Sequence, residues 1–279
     1  MSHRSVLLRL CASWLAVVDS AQPLSKISPC MAHHTRSLIA CCLLGGCLLS
    51  GSLHAALPVV EMTSLEWPPY TGETIAEHGI IGKYAVDAFA RMGYQLKISY
   101  LPWRRAVRYV EESSRYVGFL PEYSTPERER QRQFHCSEPM RSVPLALLHG
   151  ASFAHHDWQQ LSELSAYRIG TVTGYLNTPE FDALVAKGVL HTEEAPSDLL
   201  NIRKVAAGRL PLAVVDPQVL NYYLKQDPTL KAQRSALHLP VRLIGSMKLV
   251  ACFKRTAEGK RWRDIFNLGL YQLQHGKLP

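Results

Sequence analysis

Arg128 stands in Thr125-Pro126-Glu127-Arg128, six residues ahead of Phe134 and just after the apolar run Val117-Gly118-Phe119-Leu120-Pro121. Thr followed directly by Pro reads as a helix N-cap with Pro at the first helical position. An arginine held in the first turn of a helix, at the end of a strand, can present its planar fork to a carboxylate. Asp216-Pro217 repeats the Xaa-Pro capping pattern with an acid. Gly174, Tyr175 and Asn177 precede Thr178-Pro179, where the free backbone N–H groups of a helix start suit an anion, although an ordinary strand–helix turn has the same residues. Trp67 lies in Trp67-Pro68-Pro69-Tyr70, a turn that is a poor place for a core side chain. Trp103 is followed by Arg104 and Arg105, which either add a cation to the same site or are two exposed helix arginines.

Two α/β modules are expected to position these residues. Hydrophobic periodicity predicts strands over 59–65, 95–100 and 116–120 and helices over 82–92 and 103–112, a β-α-β-α-β run that signals a parallel sheet with covering helices. An apolar strand follows at 144–148. The rhythm then restarts, with a turn of helix at 161–164, strands at 167–172 and 212–215, and helices at 179–187, 198–207 and 217–226. An extended stretch over 241–253 and an amphipathic helix over 260–274 complete the chain. No repeat, low-complexity run or flexible linker separates the modules, so hinging on ordered strands is expected.

Residues 1–56 read differently. After Met31 come His33, His34 and Arg36, then an apolar run over 38–49, then small residues to Ala56. A basic start, a short apolar run and a small-residue end make a secretory signal peptide, cut after Ala55 or Ala56. Met31 is the expected start, with 1–30 an untranslated extension; a long leader is the alternative. Leu44-Gly45-Gly46-Cys47 also resembles a lipoprotein cleavage box. Without 1–56 the chain loses four Lys/Arg and one Asp, so its net charge falls from +8 to +5. That mild excess, without a basic block, argues against a nucleic-acid partner. Of seven cysteines only Cys136 and Cys252 remain. They pair in an oxidising compartment or stay as two buried thiols. His135, His149, His155 and His156 have no metal spacing, and no nucleophile elbow or phosphate loop is present, so no metal, cofactor or catalytic residue is expected.

Five segments, taken in order, resemble the bacterial extracellular solute-binding protein family 3, the amino-acid-type periplasmic binding proteins of ABC importers. They are the Trp67-Pro68-Pro69-Tyr70 turn, Trp103 placed 25 residues before Arg128, and Thr125 to Arg128 with Phe134 and Ser137-Glu138-Pro139. The others are Ile169-Gly170 with Gly174-Tyr175, and Gly208-Arg209-Leu210 with Asp216 eight residues after Gly208. The resemblance implies an α/β, bilobal periplasmic-binding-protein-like fold of type II, two lobes joined by two crossing strands. Lobe 1 would be 57–147 plus 243–279, and lobe 2 would be 148–242. It further implies a monomer that holds a small carboxylate-bearing ligand in the cleft and delivers it to an inner-membrane ABC permease.

In that resemblance Arg128 clamps the ligand carboxylate and Asp216 takes its ammonium. Trp67, Tyr70 and Trp103 enclose its apolar part or hold a cation over a ring face. Arg105, Tyr123, Gly174, Tyr175 and Asn177 complete the expected site. The chain departs from the family pattern at four places: Tyr116 and Pro211 stand where Asp is usual, and Leu120-Pro121 and Tyr123 replace small or hydroxyl residues beside the clamp. Those changes argue against a standard polar α-amino acid. A periplasmic dehydratase-like enzyme using Glu66, Glu122 or Asp216 is the second reading, and an orphan sensor or binding module the third.

Overall fold

A computed structural model describes residues 56–125, 134–151, 153 and 157–276. The expected leader and its Cys47, together with Arg128 and its capping turn, lie outside the described residues.

The first module begins with β1 (Val59–Ser64), β2 (Gln95–Tyr100) and β3 (Gly118–Ser124). Strand β1 runs parallel to both β2 and β3. Helices α1 (Gly79–Arg91) and α2 (Trp103–Glu112) make the crossovers. Each forms because its apolar residues recur at helical spacing: Ile81, Ala85, Ala88 and Phe89 on α1, and Trp103, Ala106 and Val110 on α2 are the buried faces. The second module repeats the design with β6 (Arg168–Val172), β7 (His191–Ala195) and β8 (Leu212–Val215), where β6 is parallel to both β7 and β8. Helices α3 (Pro179–Ala186), α4 (Asp198–Ala206), α5 (Pro217–Gln226) and the short α6 (Pro228–Ala232) accompany them.

Two long strands join the modules. Strands β5 (Arg141–Gly150) and β10 (Leu243–Lys254) are antiparallel to each other; β10 also pairs β3, and β5 pairs β8. Two short strands sit beside this path, β4 (Phe134–Cys136) on β10 and β9 (Leu237–His238) on β5. The sheet therefore reads β2-β1-β3-β10-β5-β8-β6-β7, two parallel halves welded by an antiparallel pair. Helix α7 (Ala257–His275) returns to the first module and packs on α1.

Two local outcomes differ from the sequence expectation, and one open alternative is decided. Strand β3 runs on through Pro121 to Ser124 rather than stopping at 120. Phe119 faces Cys252 and Glu122 faces Val250, so two residues of β3 oppose the single Ala251. That bulge is where a sheet tolerates a proline lacking an N–H. Strand β7 was hidden by its polar sequence, His-Thr-Glu-Glu-Ala, which suits an edge strand. Of the two options for the cysteines, the disulfide forms: Cys136 and Cys252 face each other in the β4–β10 ladder, Cα atoms 4.0 Å apart.

Candidate functional site

Trp67 and Tyr70 come from the turn after β1. The turn closes on itself, with Trp67 N–H donating to Thr71 O at 2.8 Å and Tyr70 N–H to Trp67 O at 2.9 Å. Thr71 Oγ1 donates to Leu65 O at 2.9 Å, which ties the turn to the strand end. Trp103 opens α2, and Tyr123 follows the bulge in β3. Tyr175 reaches in from the turn after β6, so both modules supply rings to one cluster.

Trp67, Tyr123 and Tyr175 stand at right angles to one another. Their ring centroids are 5.9 Å apart for Trp67–Tyr123, 6.5 Å for Trp67–Tyr175 and 6.4 Å for Tyr123–Tyr175, with interplanar angles of 90°, 86° and 90°. Tyr70 lies 4.5 Å from Trp67, and Trp103 sits edge-on to Tyr175 at 6.2 Å. Leu65, Pro121, Glu122, Leu176 and Leu249 complete the lining with Trp67, Trp103, Tyr123 and Tyr175. The space left between them is a cavity of about 20 Å³, room for about one water. Anything larger enters only if the walls part.

Asp216 bridges the modules. Its Oδ1 accepts from Gln218 N–H at 2.6 Å and Val219 N–H at 3.3 Å, capping α5 as its place before Pro217 dictates. Its Oδ2 accepts from the Tyr70 hydroxyl at 2.9 Å. Burial raises its pKa, and the Tyr70 and backbone bonds oppose that rise. Trp103 Nε1 donates to Gly174 O at 3.2 Å, a second tie across the modules. The Gly174 turn thus offers a carbonyl here rather than the N–H groups expected from its sequence. Gly174 has φ +80, and a Cβ there would meet the Arg104 side chain at 3.0 Å. Arg104, not Arg105, therefore lies against the turn.

Four of the predicted residues, Trp67, Trp103, Tyr123 and Tyr175, line this cavity; Tyr70 and Asp216 join them through the Trp67 ring contact and their own hydrogen bond, and Gly174 through its bond from Trp103. Two do not. Arg105 is exposed. Asn177 turns away: its backbone N–H and its Nδ2 donate to Asp182 at 3.0 and 3.1 Å, locking the start of α3. Glu66, one of the acids considered for an enzyme, is exposed and accepts from Glu73 N–H at 2.9 Å.

Asp198 was not singled out from the sequence, yet it is 7% exposed and its charge acts on the tyrosines of the cluster. The signal lies in its helix. Asp198, Asn201, Ile202 and Val205 are the buried residues of α4, at i, i+3, i+4 and i+7, so an acid occupies the apolar stripe. Ser197 already caps the helix through its bond from Leu200 N–H, leaving the Asp198 carboxylate for another use. Burial pushes its pKa up to about 7, against the pull of its own backbone N–H, and the charge of Asp216 adds to the rise. The Trp67 indole N–H, buried and without a hydrogen bond of standard geometry, faces this carboxylate and favours its ionised form. The Tyr123, Tyr175 and Tyr223 hydroxyls are all held well above the ordinary tyrosine range, first by burial and then by the Asp198 charge. They stay neutral at any physiological pH.

No protein-family model matches this sequence, and no curated protein does. Solved structures do match. The GluR0 ligand-binding core from Nostoc punctiforme, in complex with L-glutamate, superposes with a TM-score of 0.62 at 13% identity, over 78% of this chain and 93% of that one. Holo ArgBP from T. maritima gives 0.61 at 14% identity over 77% and 90%. A histidine kinase sensor domain with similarity to periplasmic binding proteins gives 0.62 at 16% identity over 79% and 92%. The parallel halves, the two long joining strands and these superpositions together give the chain a bilobal periplasmic-binding-protein fold.

Proposed function

We propose that this is a secreted, periplasmic solute-binding protein that captures a small carboxylate-bearing solute between two lobes, 57–147 with 243–279 and 148–242, and hands it to an ABC permease. The observation that carries this reading is the cavity itself. Its walls are largely aromatic, both modules supply them, and hydrogen bonds between the modules, Tyr70 to Asp216 and Trp103 to Gly174, can break and re-form. Such a site closes on a solute through contacts made only in the closed state. Trp67, Trp103, Tyr123 and Tyr175 would enclose the solute, and Arg128 would clamp its carboxylate.

Among the structural relatives, one holds glutamate and several are arginine-bound or arginine-binding proteins, which supports an amino-acid-like solute. The proposed role is binding rather than catalysis. No helix among the described residues is long and apolar enough to cross a membrane. A thermal-shift panel of amino acids and small organic acids tests the reading. At least one carboxylate should raise the melting temperature, and Arg128→Ala should abolish that shift. Binding that survives Arg128→Ala unchanged would remove the clamp.

A further inference from the structure

The positive charge of the chain beyond residue 56 is gathered at one end. Residues 57–242 carry twenty Lys/Arg and twenty Asp/Glu, so the whole excess of +5 lies in 243–279, where seven cations stand against two acids. Five of those cations, Lys254, Arg255, Lys260, Arg261 and Arg263, fall between the end of β10 and the second turn of α7. This end is remote from the cavity. In the β10–β3 ladder Leu249 faces Tyr123 at the cavity end and Phe253 faces Gly118 at the other; Lys254 then faces Phe134 in β4, and α7 begins at Ala257. Arg255, Lys260 and Arg261 are exposed. The two acids are already engaged: Asp264 takes Lys260 at 3.2 Å and Arg263 at 2.7 Å, and Glu258 accepts from the Trp262 indole N–H at 3.4 Å. Arg255 and Arg261 have no ion pair among the described residues. Burial, and after it the charges of Arg263, Arg255 and Lys260, hold the His135 imidazole on β4 below its ordinary range, as an unbalanced positive field does to a neighbour.

We propose that this end of the first module is a docking surface for an anionic phospholipid membrane. The exposed face of α7 is a shallow groove lined by Ala257, Lys260, Arg261, Asp264, Ile265 and Leu268, all from one helix, so it has a floor and no opposing wall among the described residues. A protein partner draws its affinity from anchors enclosed in pockets. A plane of phosphate headgroups needs only cations on long side chains, each worth about 1 kcal/mol near such a surface. Ile265 and Leu268 are half-buried against the protein itself, so the contact is electrostatic adsorption, reversible and sensitive to salt. It would hold the first module against lipid and leave the cavity, at the other end of the ladder, facing solution. No residue of the cavity takes part, so the surface stands apart from the solute-binding reading.

Co-sedimentation tests this with two kinds of vesicle, phosphatidylcholine alone and phosphatidylcholine mixed with phosphatidylglycerol. Expression of the whole sequence leaves residues 1–56 in the same state in every sample, so a difference between variants belongs to the substituted face. At low salt the protein should partition onto the mixed vesicles about tenfold or more above the neutral ones, and the preference should fade as salt approaches about 0.5 M. Arg255→Glu combined with Arg261→Glu should lower that partition by about tenfold or more. Arg209→Glu combined with Lys231→Glu, two exposed cations of the second module, changes the net charge equally and should lower it by less than about threefold. Equal binding to both kinds of vesicle, or an equal loss in both double variants, would overturn the assignment. If the vesicles are ignored and poly-L-glutamate binds instead, with the same dependence on Arg255 and Arg261, the surface serves an acidic protein and the lipid assignment falls. Solute binding is read separately, by the thermal-shift panel.

Discussion

Asp198 makes the protein's stability depend on pH in an unusual direction. Its folded pKa, about 7, lies above the 3.8 of an unfolded aspartate. Below the lower value both states are protonated and its contribution is fully present. As pH rises through the window between the two, the unfolded chain ionises and the folded one does not, so stability falls. Asp216 is raised as well and acts in the same sense. Glu61, Glu193 and Asp227, all lowered by arginine or lysine partners, act oppositely, but at and below the ordinary carboxylate range. His135 is lowered by burial and nearby cations and opposes the trend near its own titration. Comparison with Asp198→Asn therefore isolates the effect. Urea unfolding should show the wild type losing roughly 2–4 kcal/mol relative to the variant between about pH 5 and about pH 8. Parallel curves for the two proteins would mean that Asp198 is ionised in the fold throughout.

Helices α7 and α1 cross in close contact. Gly269 has no side chain to hold them apart, and a Cβ there would lie 2.1 Å from the Ala88 carbonyl oxygen, a backbone atom that cannot swing aside. Gly269→Ala gains helix propensity of about 1 kcal/mol, yet the two helices must separate, so a net loss of roughly 1–3 kcal/mol is expected in denaturant unfolding. A neutral or stabilising result would show that the crossing relaxes freely. Elements with strong periodicity, such as α1, α2 and α5, were legible in the sequence because burial on one face and a cap or stop at the end point the same way. Strand β7 was not, since Glu193 serves the surface pairs with Arg168 and Lys204 at 3.0 and 2.9 Å rather than a core. The site was legible where turn chemistry fixed a residue, as at Trp67, Tyr175 and Asp216. It was illegible where one residue's choice of partner decided the outcome. Asn177 went to Asp182, and Asp198 was freed from capping by Ser197.

At the scale of the molecule, one covalent bond closes a loop around the whole second module. Cys136 and Cys252 are 116 residues apart, and everything from β5 through most of β10 lies between them. The bond fastens β4, a strand of three residues whose ladder to β10 is too short to hold by itself. It also fixes the chain eight residues beyond Arg128, and it fixes β10, which carries Leu249 into the cavity wall. Cross-linking so long a loop removes unfolded-state entropy worth about 2–5 kcal/mol. Reduction with dithiothreitol should therefore lower the melting temperature by roughly 5–15 °C, at about 2–4 °C per kcal/mol for a chain of this size. Cys136→Ser should match the reduced wild type and not respond further to reductant. Because β4 follows the proposed clamp, solute affinity should fall along with stability, more steeply for carboxylates than for ligands without one. An unchanged melting temperature, with two thiols titrating in the untreated protein, would show the cysteines unpaired and would leave the register of β4 to its three-residue ladder alone.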